Sequence, residues 1–331
     1  MKSVKERLIK KRREFSTAKG IFFTLSGIIM VTVVIFVSIF IVSAVGIVNP
    51  DKEKIHTFPD ELGLYYEFYE IKAPNNQIMS GWFIPSQPEN TGDLNEQADT
   101  TVSDRTVIFS HSYKDNKTMT LLNILYFARK LADAGYNVVM FDYSGSGSST
   151  GSGYTFGTRE TDELKCVIDF FAQRKGLGKF ALAGWSFGAA SAIMAGADDD
   201  RVQVIVADSP YADLKDTFRR DFSRWSNLPE AFSPFIRFGV GIFSGVDLYR
   251  DSPLAACERM RGKTVLLISG DKDEVFLDSA QSLYSAVKSP ENTKDIWIVQ
   301  DCGHMAAWVT EEVNYANKVL HTLNVAYGIE E

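Results

Sequence analysis

Residues 179–196 read KFALAGWSFGAASAIMAG. The apolar run Phe180–Ala183 has the character of a short buried strand, and it breaks at Gly184-Trp185-Ser186-Phe187-Gly188. Beyond the break, Ala189, Ala190 and Ala192 continue at helical spacing. The pattern is strand, sharp turn, helix, with Ser186 at the apex. A serine lifted on such a turn needs neighbours without side chains, so that Gly184 and Gly188 let the helix pack close under the strand. The helix start directs N–H groups and a partial positive charge to the place where an anion would form.

Outward from that stretch, apolar runs at Val107–Phe109, Val138–Phe141, Val204–Ala207, Val265–Ile268 and Ile296–Val299 alternate with helical stretches near 117–134, 159–175 and 187–197. Continuous apolar strands separated by amphipathic helices imply a mostly parallel, doubly wound sheet covered on both faces. Ahead of it, Tyr65–Ala73 and Gln77–Pro85 alternate apolar and polar residues around Pro74-Asn75-Asn76, an antiparallel hairpin that extends one edge. Residues 89–104 are polar and acidic and read as a solvated loop. The interval 212–250 is crowded with aromatic and charged residues, among them Phe218, Trp225, Phe232, Phe235, Phe238, Phe243 and Tyr249. Its place between two core strands, on the carboxyl side of the sheet near Ser186, favours a helical cap over ordinary packing.

The N-terminus is of another kind. Residues 21–48 run for 28 positions without a charge. As a helix they extend about 42 Å, enough to cross a hydrocarbon core of roughly 30 Å. The run is too long for a cleaved signal, whose apolar region spans about 7–15 residues. Residues 1–20 hold eight Lys/Arg against Glu6 and Glu14, a net of +6 within a chain of net charge −7. Basic residues before a span stay cytoplasmic, so residues 49–331 are expected outside, on a single-pass cell-membrane protein. The remaining chain is acidic and shows no basic face for nucleic acid. Cys166, Cys257 and Cys302 lie far apart without metal-ligand spacing.

A serine hydroxyl becomes a useful nucleophile only when a base takes its proton, and histidine suits that task near neutrality. Of the four histidines, His304 lies in a loop after the final apolar strand, where sites of open α/β sheets collect. His111 also ends a strand, His56 sits in the linker of about 50–62, and His321 lies inside the last helical stretch. The base needs a carboxylate to hold its tautomer. The turn Gly270-Asp271-Lys272-Asp273-Glu274-Val275 supplies Asp271 and Asp273, with Asp208 a weaker candidate after the 204–207 strand. The N–H of Phe187, and one from His111-Ser112-Tyr113, for which Tyr113 is chosen, would receive an oxyanion. No metal or organic cofactor is implied.

Together these residues resemble the α/β-hydrolase superfamily from about residue 60 onward, and most closely bacterial membrane-anchored hydrolases of the serine aminopeptidase and lysophospholipase-like group. Phe141-Asp142-Tyr143-Ser144-Gly145-Ser146-Gly147-Ser148 resembles the family's Asp-x-Arg-Gly-x-Gly-x-Ser turn. Gly270–Val275 resembles its Gly-x-x-Asp-x-Val acid loop, which implies Asp273 as the acid; Gly303-His304 resembles its histidine loop. The order serine, acid, histidine is also the family's. Two positions differ: Ser112 stands where the family commonly has glycine, and Ser144 where it has arginine. The resemblance implies a serine hydrolase acting on an ester, thioester or amide of a small-molecule or lipid-like acyl substrate, with esterase or lipase-like activity favoured. Peptidase or acyltransferase activity on the same residues, or a non-catalytic binding or scaffold protein, are the alternatives.

Overall fold

Eight strands make one sheet: β1 (Glu67–Lys72), β2 (Ile78–Ile84), β3 (Arg105–Ser110), β4 (Asn137–Phe141), β5 (Lys179–Trp185), β6 (Val202–Asp208), β7 (Thr264–Gly270) and β8 (Lys294–Val299). The computed structural model describes residues 2–87, 103–223, 228–245, 247, 250–288, 290 and 293–329. Most of the polar stretch expected to be a solvated loop, together with Trp225 and Tyr249, lies outside them. The sheet order is β1-β2-β4-β3-β5-β6-β7-β8, and β2 alone runs against its neighbours. The expected hairpin is β1–β2, paired from Glu67↔Phe83 to Lys72↔Ile78.

The helices are α1 (Lys2–Val48), α2 (Ile124–Asp133), α3 (Thr158–Lys175), α4 (Phe187–Gly196), α5 (Leu214–Arg220), α6 (Ser233–Ser244), α7 (Pro253–Arg259), α8 (Glu274–Ala286), α9 (Ala307–Thr310) and α10 (Glu312–Tyr327). Side chains alternate across each strand, and both faces are covered. On β6, Ile205 and Ala207 pack into the cluster with α3, α4, α7 and α8, whereas Val204 and Val206 join the one with α2 and α10. That is why the central strands read as unbroken apolar runs.

The helix expected near 117–134 begins only at Ile124. Met119 (φ 38°) and Asn123 (φ 49°) take left-handed backbone, and Lys117 is drawn inward to a buried Asp142, so this stretch cannot start as a regular helix. The basic arm and the apolar stretch form one uninterrupted helix, α1, long and apolar enough to cross a membrane. Along it, Ile21, Phe22, Ile29 and Val34 are exposed, while Ala44, Ile47 and Val48 are buried against the domain. Within 212–250, the described elements are α5, a 3-10 turn Glu230–Phe232 and α6, which packs beside the end of α1.

One buried carboxylate on α3 has a measurable consequence. Glu163 accepts the N–H of Ser144 and pairs with Arg159 at 3.1 Å. Burial, reinforced by the nearby Glu160, pushes its carboxyl up from 4.5 to about 7. The folded chain therefore holds a proton that the unfolded chain releases earlier, and stability from this group falls as pH rises from 4.5 through about 7. Glu163→Gln is expected to flatten that fall. Thermal melts at pH 5, 6, 7 and 8 check it: the variant should gain relative to wild type toward the alkaline end.

Candidate active site

Ser186 sits between β5 and α4 with φ 52° and ψ −112°, a conformation that costs an L-residue about 1–3 kcal/mol. The surroundings impose it. The Ser186 N–H donates to the carbonyl of Asp208 at 2.8 Å, tying the turn to the end of β6. A Cβ on Gly184 would stand 2.4 Å from the Gly188 carbonyl oxygen, and one on Gly188 would stand 2.0 Å from that of Ser110. Backbone on both sides leaves no room for a side chain at either glycine.

His304 lies in the loop after β8. Its Nε2 is 2.9 Å from Ser186 Oγ, and its Nδ1 is 2.5 Å from Asp273 Oδ2. Asp273 is fully buried and directly precedes α8, while the imidazole is partly open and packs on Phe276 with ring centroids 4.1 Å apart. A carboxylate only accepts, so Nδ1 carries the hydrogen and Nε2 is left to accept from the Ser186 hydroxyl. The acid and histidine loops are locked together by backbone. Lys272 N–H donates to Cys302 O at 3.0 Å, and a Cβ on Gly270 would meet that oxygen at 2.1 Å. Asp271 serves this lock, accepting the Cys302 N–H at 3.2 Å. Of the two aspartates in the turn, Asp273 is the one beside the imidazole.

The other candidates have different surroundings. Asp208 is fully buried behind the serine; Ser209 Oγ donates to its Oδ1 at 2.9 Å and accepts the Met305 N–H at 3.0 Å. Burial pushes its carboxyl up to about 6. His111 is buried too: its Nδ1–H donates to Ser112 O at 2.8 Å, and Nε2 accepts the Tyr143 N–H at 3.1 Å. Burial lowers its pKa, so this ring is neutral scaffolding under the loop. His56 and His321 are exposed, on the linker and on α10.

A cavity of about 270 Å³ opens over the serine, lined by Ser112, Tyr113, Ser186, Phe187, Asp221, Phe276, His304 and Met305. Both expected oxyanion residues are in its wall. Phe187 opens the first turn of α4, where N–H groups point out of the helix end. Tyr113 is held from behind, its hydroxyl donating to the Ile47 carbonyl of α1 at 2.6 Å. Asp221, at the end of α5, is a lining residue that sequence reasoning missed; amid several charges of that segment, nothing local marks it. Where the resembling family has an arginine, Ser144 stands, and Arg159 of α3 reaches the Ser144 carbonyl at 3.4 Å instead. Among the described residues, no group of three or more His, Cys, Asp or Glu side chains is placed to hold a metal ion.

Comparison with known proteins agrees with this fold. The family model for the alpha/beta hydrolase fold matches residues 118–240. The uncharacterized protein YqkD of Bacillus subtilis is 26% identical over 223 residues, 66% of this chain and 71% of that protein. The uncharacterized protein YfhR of Escherichia coli O157:H7 is 26% identical over 249 residues, 73% of this chain and 74% of that one. Among solved structures, the esterase Pf2001 of Pyrococcus furiosus superposes with a TM-score of 0.66 at 24% identity, covering 83% of this chain and 98% of the esterase. A Mycobacterium tuberculosis puromycin-hydrolyzing peptidase superposes with a TM-score of 0.56 at 17% identity, covering 81% of this chain and 40% of the peptidase. With one antiparallel strand at the second position, a serine on a strained strand-to-helix turn and a family model that matches residues 118–240, the chain has the α/β-hydrolase fold.

Proposed function

We propose that this protein is a membrane-anchored serine esterase in which Ser186 is the nucleophile, His304 the base and Asp273 the residue that orients it. The observation that carries the reading is the chain of contacts Ser186 Oγ to His304 Nε2 at 2.9 Å and His304 Nδ1 to Asp273 Oδ2 at 2.5 Å. Ser186 Oγ attacks the ester carbonyl carbon while its proton passes to His304 Nε2. The imidazolium is stabilised by Asp273, and the oxyanion by the N–H groups of Phe187 and Tyr113. Collapse expels the alcohol, which takes the proton from His304. Water, deprotonated by the same nitrogen, then releases the acid and restores the serine. The segment 212–250 acts as the cap, α1 crosses the membrane through residues 21–48, and the basic arm stays cytoplasmic with the domain outside. An esterase among the structural neighbours agrees with the reaction class.

One observation favours a second reading, a peptidase acting on substrates with a free amine: the acidic residue Asp221 lines the cavity. A carboxylate there suits an ammonium group better than a neutral ester. The test is a serine-directed fluorophosphonate probe on the full chain in detergent, followed by turnover of a neutral aryl ester and an aminoacyl anilide. Wild type should be labelled, and Ser186→Ala should lose the label altogether. The ester should be the better substrate, with Asp221→Asn changing its turnover little. No labelling of folded protein would mean a binding module, and a loss confined to the anilide in Asp221→Asn would favour the peptidase.

A further inference from the structure

The helix α6, sequence SPFIRFGVGIFS, is apolar apart from Arg237 and its two terminal serines. Ile236, Gly239 and Val240 are buried against the domain and the end of α1. The opposite side is apolar as well: Phe235, Phe238, Ile242 and Phe243 are 51%, 68%, 57% and 40% exposed. A helix without a polar face is ordinarily enclosed by protein or by lipid, and a contiguous apolar patch on a surface marks an interaction site. The only charge of α6 is Arg237, whose Nε is buried with no hydrogen-bond partner among the described residues.

What covers this face follows from what it is joined to. α6 lies along the apolar part of α1: Phe36 stacks on Phe232 at 5.5 Å and meets Phe235 edge-on at 5.4 Å. At Gly239 the two helices come so close that a Cβ would stand 2.8 Å from both Ala44 Cβ and Phe40 Cζ. Phe36 precedes the end of α1 at Val48 by 12 residues, or about 18 Å of helix. If 21–48 spans the bilayer, a stretch of roughly 30 Å taken from its start extends to about residue 40. The outer face of α6 is therefore continuous with the lipid-facing surface of the span, at the depth of the leaflet nearest the domain.

Resting on the reading of α1 as a membrane anchor, we propose that α6 is a second membrane contact, its Phe235, Phe238, Ile242 and Phe243 seated in the domain-side leaflet, and that the enzyme takes its acyl ester from that leaflet. The site is within reach of this contact. Tyr113, Phe187 and Phe276 of the cavity wall belong to the same apolar cluster as Ala44 and Ile47 of α1 and Ile236 and Val240 of α6. This shared cluster joins the leaflet contact to the wall of the cavity, so a substrate leaving the leaflet beside α6 has a short way to the serine.

The test uses the full chain in phosphatidylcholine–phosphatidylglycerol vesicles, with a benzophenone side chain introduced at Ile29 on α1 or at Phe238 on α6. Lipid adducts at both positions are expected. Adducts at position 29 but not at 238 overturn the α6 contact and leave the anchor standing, while no lipid adduct at either overturns both. A cross-link from 238 to a second copy of the chain overturns the proposal in favour of a dimer face. In parallel, Phe238→Ser should lower hydrolysis of a vesicle-embedded long-chain ester, relative to a soluble short-chain ester, by roughly tenfold, the order expected from losing one buried aromatic contact. An unchanged ratio with an unchanged melting temperature would rule out delivery from the leaflet.

Discussion

Asp273→Asn is expected to lower turnover of a soluble aryl ester on the order of 10⁴-fold while leaving the fold intact. The reason is the tautomer. The Asp273 carboxylate sits 2.5 Å from His304 Nδ1 and requires a hydrogen there. An asparagine that presents its NH₂ group to the ring makes Nδ1 the acceptor and moves the hydrogen to Nε2, where it faces Ser186 Oγ at 2.9 Å and cannot take a proton. A loss of that size corresponds to about 5.5 kcal/mol of transition-state stabilisation. The control is Asp208→Asn. Asp208 holds the Ser186 N–H through its backbone carbonyl, which the substitution keeps, and its side chain accepts from Ser209 Oγ. Its turnover should stay within about tenfold of wild type, as befits a supporting rather than a reacting group. Steady-state kinetics with circular dichroism on both variants decides the matter. If Asp208→Asn carries the large loss and Asp273→Asn the small one, the acid has been assigned to the wrong strand end.

What was legible in the sequence and what was not divides along chain separation. The turn at Ser186 is a local object: two glycines, a strand before and small residues after, all within 18 positions, so its geometry follows from short-range sterics. The central strands were legible because burial on both faces removes polar positions altogether. His304 could be singled out because four histidines leave few choices and strand-end loops limit them further. The pairing of α6 with α1 joins residues about 200 positions apart, between two helices that each look complete alone, and no local pattern announces it. Asp221 reaches the cavity only through the path of α5, and one carboxylate among several charges of a segment reads as solvated. His111 ends a strand exactly as a catalytic residue would, yet both of its nitrogens are committed to backbone. Nothing local marks Lys117 as buried: a lysine at the start of a helical pattern has the character of a solvent-facing residue, and here it is 1% exposed.

That lysine sets the last expectation, which concerns stability. Lys117 Nζ lies 2.6 Å from Asp142 Oδ2, with the two side chains 1% and 0% exposed, and it also donates to Ser80 Oγ at 3.0 Å. Asp142 accepts two further hydrogens, from the N–H of Lys117 at 2.7 Å and of Ser148 at 2.9 Å. A Cβ on Gly147 would stand 2.5 Å from that carboxylate, which is why the turn after β4 needs glycine there. Lys117→Met removes the cation and leaves a buried carboxylate with only backbone donors. Breaking one side of such a pair costs about 3–5 kcal/mol, a large share of the 5–15 kcal/mol typical of a whole domain. Asp142→Asn should cost a similar amount by stranding the lysine. The double variant should lose clearly less than the two single losses combined, because neither charge is then left unpaired. The loss should also reach the site, since Lys117 anchors the loop carrying Tyr113, whose N–H is proposed to hold the oxyanion. Urea midpoints of the detergent-solubilised chain measure all three. A single variant within about 1 kcal/mol of wild type would mean that water or a rearranged loop replaces the missing partner, and that the pair does not hold the β3 and β4 loops together.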